Sequence, residues 1–228
     1  HAERLGVDIH VMLADGAPVR NISEAVQNAH LEVEAVVGSP IAAGYACLTE
    51  EERELGVALV EFGGEVTNVS VYAAGMLLGL VTIPMGSGDV TDAIASAFGI
   101  RRFQAERLKC VHGSAIASPA DHREMIPVNA PGDEMTGPIA RHADDKNRIP
   151  RAELISVITE QMARLMDEVS RALKSLGFTG QRGQQIVLTG GGAELAGLAD
   201  YAQSALGKPV RIGRPLHIKG LPEAHATP

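Results

Sequence analysis

Apolar and polar positions divide the chain into short elements. Gly6–Ala14 (GVDIHVMLA) and Leu31–Gly38 (LEVEAVVG) read as strands, and Arg20–His30, with Ile22 and Ala25 on one face, reads as the helix between them. Strand, helix, strand at this spacing predicts a βαβ unit. Ser39-Pro40 reads as the start of a small-residue helix through Leu48, with Ser as N-cap and Pro in the first turn. A charged loop, Thr49–Glu54, precedes three strand-like runs: Gly56–Phe62, Thr67–Tyr72 and Met76–Pro84. Glycine-bearing turns between them predict hairpins, so the sheet is partly antiparallel. Helices are expected at Val90–Phe98, capped by Ser87 or Asp89, and at Phe103–His112.

From Gly113 to Pro150 periodicity weakens, apart from a possible strand at Glu124–Val128, and the composition predicts a loop-rich subdomain. Arg151–Leu176 reads as the longest helix, with Leu154, Val157, Ile158, Met162, Leu165, Met166 and Val169 on one face and Gly177 as its stop. A strand at Gln185–Leu188 runs into Gly190-Gly191-Gly192, followed by a helix from about Ala193 to Leu206 and a last strand at Val210–Ile212.

Composition narrows the function. The 228 residues carry a formal net charge of -8, which opposes non-specific nucleic-acid binding through phosphates. Aromatic residues make up 3% of the chain and Trp is absent, so the core is expected to be aliphatic. The two cysteines, Cys47 and Cys110, have no metal-ligand spacing and read as reduced core thiols on apolar helices. Eight histidines show no H-x-H or H-E-x-x-H pattern, so no metal site is expected. No G-x-S-x-G elbow supports a hydrolase triad. The start at His1 rather than Met suggests a piece of a longer protein.

Two glycine corners carry the candidate chemistry: Glu61-Phe62-Gly63-Gly64-Glu65-Val66-Thr67 at a hairpin tip, and Leu188-Thr189-Gly190-Gly191-Gly192-Ala193-Glu194 between a strand and a helix. Glycine there lets a ligand approach the backbone N–H groups. Either corner alone is more simply an ordinary tight turn. Asp89 and Asp92 read as a helix cap and a first-turn acid rather than catalytic groups.

In this order the two corners resemble the actin-like ATPase superfamily, where a hairpin D-x-G-G-G-T-T holds phosphates and a strand-to-helix L-T-G-G-x-x-x-x-x-G-L packs on adenosine. The second pattern is matched in full from Leu188 to Leu198. Within the superfamily the chain is similar to the FtsA family. The segments that carry this are Leu48–Val57, Val81–Ala95, Ala105–Lys109 and Val210–Pro215, and the likeness runs from about Gly6 to about Leu221.

The resemblance implies an α/β, actin-like (ribonuclease H-like) mixed sheet flanked by helices, with a smaller α+β subdomain. It implies a remnant of a first actin-like domain and a connector helix in residues 1–52. Residues 53–103 with 185–228 would form the second, nucleotide-side domain, and 104–184 an inserted subdomain that receives the C-terminal tail of FtsZ. The first phosphate hairpin, the family's inserted domain, the final core helix and the C-terminal membrane-binding helix would lie outside this sequence.

By the same resemblance, Gly63, Gly64, Thr67, Gly190, Gly191, Gly192 and Glu194 line ATP with Mg²⁺. Partners would be FtsZ, further copies in a filament, and the cytoplasmic face of the inner membrane at the division site, with no nucleic acid. The hairpin departs from the family at Glu61 (Asp), Glu65 (third Gly), Val66 (first Thr) and Asn68 (Asp). A carboxylate near phosphates costs on the order of 1–4 kcal/mol. ATP binding is therefore expected in place of efficient hydrolysis. In the long helix Gln161 stands where the family often has Arg, and Arg164, one turn on, is the candidate substitute. Rival readings on the same fold are a small-molecule kinase, for which no acceptor-activating Asp is evident, and an actin-like protein of pilus assembly.

Overall fold

The computed structural model describes residues 6–7, 9, 11–129, 148–180, 184–215, 222 and 227–228. In chain order its elements are α1 (Gly16–Asn28), α2 (Ser39–Cys47), α3 (Glu50–Leu55), β1 (Val57–Phe62), β2 (Thr67–Ala73) and β3 (Met76–Ile83). There follow α4 (Ser87–Phe98), α5 (Arg102–His112), β4 (Met125–Pro127), β5 (Arg148–Pro150), α6 (Arg151–Ser175), β6 (Gln185–Thr189), α7 (Leu198–Leu206) and β7 (Val210–Ile212).

The centre is a mixed five-stranded sheet in the order β3-β2-β1-β6-β7. The hairpins β1–β2 and β2–β3 are antiparallel, whereas β1–β6 and β6–β7 are parallel. The central strand is apolar on both faces, as a covered strand requires. Ala58, Val60 and Phe62 point to one core and Val57 and Leu59 to the other. α6 covers the first face with Leu154, Ile158, Met162, Leu165, Val169 and Leu173, spaced three or four residues apart. α2 covers the second, smaller core with Cys47, against Leu48, Tyr72 and Val187. β4 and β5 form a separate antiparallel pair beside the start of α6.

Several elements differ from the sequence reading. Gly6–Ala14 and Leu31–Gly38 are not strands in their described residues, and residues 8 and 10 lie outside the description. Apart from the half-buried Val33, their apolar side chains are exposed, Leu13 to 94%. Alternation marks an apolar face, but a strand also needs a neighbour for its ladder, and none pairs with these segments among the described residues. The expected βαβ unit is therefore absent there. Its helix is present as α1, which begins before Arg20.

The expected loop at 49–54 is α3. Thr49 and Glu52 form a reciprocal capping box, and Glu50, Glu51 and Glu52 suit the positive end of the helix dipole. Gly38, not Ser39, is the N-cap of α2, and α4 starts at Ser87. Beyond Gly190 a 3-10 turn (Gly191–Glu194) replaces the first turn of the expected helix, and α7 begins only after Gly197. Cys47 is buried, but Cys110 is exposed on α5 because it lies off the face that Ala105 and Leu108 bury. Much of the loop-rich segment, residues 130–147, lies outside the description.

Candidate functional site

Glu61 of β1 stands opposite Thr189 of β6 in a parallel pair. Both glycine corners therefore leave the same end of the sheet from adjacent strands. The crevice beyond the carboxyl ends of parallel strands is where open α/β sheets take ligands. Gly190 has φ +88°, and a Cβ there would lie 2.6 Å from the Phe62 carbonyl oxygen. One at Gly192 would lie 2.5 Å from the Phe62 ring. These two glycines seat one corner on the other. Gly64 and Gly191 differ, since an added Cβ would meet nothing within 4 Å. They present open backbone that a ligand can approach.

The hairpin tip is fastened to α4. Ser87 N–H donates to Gly63 O at 2.9 Å and Gly88 N–H to Gly64 O at 2.7 Å. Asp89 is not the N-cap its sequence suggested but the third helical residue, and it braces the helix start by accepting from the N–H of the N-cap Gly86 at 2.7 Å. Thr67 is fully buried, and its hydroxyl donates to Met85 O at 2.8 Å. That hydroxyl faces inward and ties the hairpin to the next corner. Val66 and Glu65 are exposed at the tip.

Glu61 is not free either. One carboxylate oxygen accepts from the Ser39 hydroxyl at the start of α2 and the other from Asn68 Nδ2 at 3.0 Å. Asn68 Oδ1 accepts in turn from Thr82 at 2.8 Å. A polar chain thus runs from α2 across three strands. Behind the tip lies a buried cation: Lys109 Nζ donates to Ser87 O (2.9 Å) and Thr91 Oγ1 (2.8 Å), and lies 2.8 Å from Glu106 Oε2. Burial works against ionisation of Glu106, yet hydrogen bonds from Lys109 and Thr91 outweigh it and hold the carboxyl below its usual range.

Glu194 is exposed in the 3-10 turn and borders a hollow of about 400 Å³ with Gly197, Asp200 and Arg214. Gln161 and Arg164 lie on α6, apart from the corners. Gln161 is half-buried, and the exposed Arg164 pairs with Glu160 at 2.6 Å. A groove of about 460 Å³ runs along α6, lined by Ser118, Asp121, His122, Ile155, Thr159, Glu160 and Ala163. It is bordered by Glu160, the partner of Arg164, and not by Gln161 or Arg164 themselves.

Sequence reasoning missed Arg102. Its Nε donates to Asp92 Oδ1 at 2.7 Å and its Nη2 lies 3.7 Å from Glu65 Oε1. The pairing joins the hairpin tip to the start of α5, a proximity that no local spacing encodes. Asp92 is not the first-turn acid its sequence suggested: α4 begins at Ser87, so Asp92 lies in the second turn and serves as the partner of Arg102. Among the described residues no group of three or more His, Cys, Asp or Glu gathers as a metal site, and no helix is long and apolar enough to cross a membrane.

Residues 58–228 match the family model described as cell division protein FtsA. The chain is 38% identical over 224 residues to the cell division protein FtsA of Rhizobium meliloti (strain 1021), covering 98% of this chain and 49% of that protein. It is 34% identical over 226 residues to that of Escherichia coli (strain K12), covering 99% and 53%. The chain thus spans about half the length of the curated relatives it matches. Among solved structures, MreB 5 of Spiroplasma citri bound to AMPPNP aligns with TM-score 0.60 at 14% identity, over 87% of this chain and 60% of that one. A PilM–PilN type IV pilus biogenesis complex aligns with TM-score 0.64 at 20% identity, over 86% and 47%. Such neighbours establish the actin-like fold.

Proposed function

The chain belongs to the family of the cell division protein FtsA, and on that premise we propose that it forms the nucleotide-facing part of an actin-like division scaffold. The scaffold binds ATP, assembles with further copies, and links FtsZ to the cytoplasmic face of the membrane. The carrying observation is the pair of glycine corners side by side at the ends of β1 and β6. In this reading residues 53–103 and 185–228 form the nucleotide-side domain, 104–184 the partner subdomain, and 1–52 a connector with part of a first domain.

The residues present suit a nucleotide in part. Gly64 and Gly191 offer open backbone, and the corners are fixed against each other through Phe62. Phosphates would lie against Gly63 and Gly64 and the adenosine side against Gly190–Gly192 and Glu194. The bound nucleotide supplies a charged strut between domains. Thr67 contributes by bracing the hairpin, its hydroxyl being spent on Met85. Glu61, pinned by Ser39 and Asn68, would face Mg²⁺ through water. The exposed Glu65 opposes the phosphates, so weak binding without efficient turnover follows. The pilus reading rests on fold likeness alone, and the kinase reading has no Asp placed for an acceptor hydroxyl among the described residues.

Mg-ATP titrated into the chain by calorimetry tests this. Weak binding is expected, tightened about tenfold or more by Glu65→Gly with Val66→Thr, the equivalent of about 1.4 kcal/mol. Heat from neither protein would overturn the nucleotide reading and leave the family membership standing. For the partner, a peptide of the FtsZ C-terminal tail is expected to bind the 104–184 subdomain. Arg164→Ala weakens it, and Gln161→Arg strengthens it, each several-fold by adding or removing one charge at the α6 surface. Unchanged affinity in both variants would move the partner site elsewhere.

A further inference from the structure

The acid that spoils the phosphate hairpin has its own counter-ion. Glu65 Oε1 lies 3.7 Å from Arg102 Nη2, across the gap between the hairpin tip and the first turn of α5. Arg102 is aimed from behind, because Asp92 Oδ1 accepts from its Nε at 2.7 Å. One edge of the guanidinium is thereby held, and the Nη2 edge is turned toward the tip. Gly88 makes room for this: a Cβ there would lie 3.0 Å from Glu65 Oε1 and 3.1 Å from Arg102 Nη2. The same residue's N–H holds Gly64 O at 2.7 Å, so the ion pair stands directly over the fastened tip.

The two ends of the pair are not equally committed. Glu65 has Arg102 as its only ion-pair partner among the described residues, at a distance too long for a hydrogen bond. Arg102 keeps Asp92 whether or not Glu65 stays. Both side chains are well exposed, so the Glu65–Arg102 contact is weak and readily exchanged. An arriving phosphate carries more charge than a carboxylate and matches the planar donor fork of arginine.

We propose that Arg102 is an anion-binding residue of this cleft, aimed by Asp92 and occupied by Glu65 until the terminal phosphate of a nucleoside polyphosphate displaces that carboxylate. This rests on the nucleotide reading above. It gives the degenerate hairpin an exchange step: Glu65 is a competitor for Arg102 as well as a repulsive charge. No covalent chemistry is involved. Asp92 is a positioning residue, and its removal weakens binding by misaiming the guanidinium.

The test is equilibrium titration of the chain and its variants with ATP, and separately with inorganic pyrophosphate and adenosine. Arg102→Ala is expected to weaken ATP and pyrophosphate about tenfold and leave adenosine unchanged. Glu65→Gln is expected to tighten both anions several-fold, and in the Arg102→Ala background to tighten them less, since part of its effect is the release of Arg102. Asp92→Asn should fall between wild type and Arg102→Ala. Thermal unfolding without ligand checks that each variant is folded. Binding by the wild-type chain with an unchanged Arg102→Ala affinity overturns this proposal and leaves the nucleotide reading standing. Fully additive effects of Glu65→Gln and Arg102→Ala overturn the exchange step. Absence of ATP binding in both the chain and Glu65→Gln overturns the two readings together.

Discussion

Gly44 shows how much one hydrogen atom decides in this fold. α2 crosses the sheet where Tyr72 rises from β2, and the Tyr72 hydroxyl donates to Pro40 O at 2.9 Å within the helix's own first turn. A Cβ on Gly44 would fall 2.1 Å from that hydroxyl oxygen, so the residue is fixed by the close approach of a helix to a ring. Burial pushes the Tyr72 phenol up to about 12, so it remains a neutral donor. Gly44→Ala is expected to lower stability by about 1–3 kcal/mol through overpacking. Tyr72→Phe removes one hydrogen bond, about 1 kcal/mol. The Cβ would also fall 2.4 Å from Tyr72 Cζ and 3.1 Å from Cε2, which a phenylalanine keeps, so the double variant should recover only part of the loss. Urea denaturation of all three decides it, and a Gly44→Ala variant as stable as the parent would refute the crowding.

Among the elements, α3 depends on a cross-chain fork. Arg211 of β7 donates from Nε and Nη2 to the two Glu52 oxygens at 2.8 and 2.7 Å, and from Nη2 to Cys47 O at 2.9 Å. Burial alone would raise the Glu52 carboxyl, but hydrogen bonds from Arg211 and Thr49 overcome it and hold it below its usual range. A carboxyl depressed in the folded state stabilises fully above its unfolded value and loses that contribution as pH falls through the folded one. Glu106, held down by Lys109 and Thr91, acts in the same sense. Stability should therefore decline as pH falls through and below the ordinary carboxylate range. Glu52→Gln is expected to be less stable at pH 7 and to decline less steeply in acid. Denaturation midpoints measured between pH 7 and 3 check it, and an equally steep decline in the variant would assign the acid sensitivity elsewhere.

At the scale of the whole molecule, legibility followed locality. The run Val57–Phe62 was readable as a strand because it is apolar on both faces, and Gly63-Gly64 and Ala74-Gly75 as turns because each joins neighbours in sequence. Gly6–Ala14 has the same alternation as a strand and forms none in its described residues, since periodicity says which face is apolar and not whether a partner exists. The glycine corners were visible in the motif, but their division of labour was not. That Gly190 and Gly192 seat on Phe62 while Gly64 and Gly191 stay open depends on packing between segments distant in sequence. Likewise the motif spells threonine at 67 without saying that its hydroxyl turns inward to Met85. The pairing of Glu65 with Arg102 is a contact of the same non-local kind.

The fastening of the hairpin tip to α4 has a mechanical meaning. Three hydrogen bonds, from Ser87 and Gly88 to the tip and from Thr67 to Met85, would have to break for the tip to shift alone. Tip and helix therefore behave as one stiff crank. Its far arm, α4, packs against α6, the helix that also walls the groove around Asp121 and Thr159. Through α4 and α6 alone, a continuous close-packed path connects the glycines to that groove.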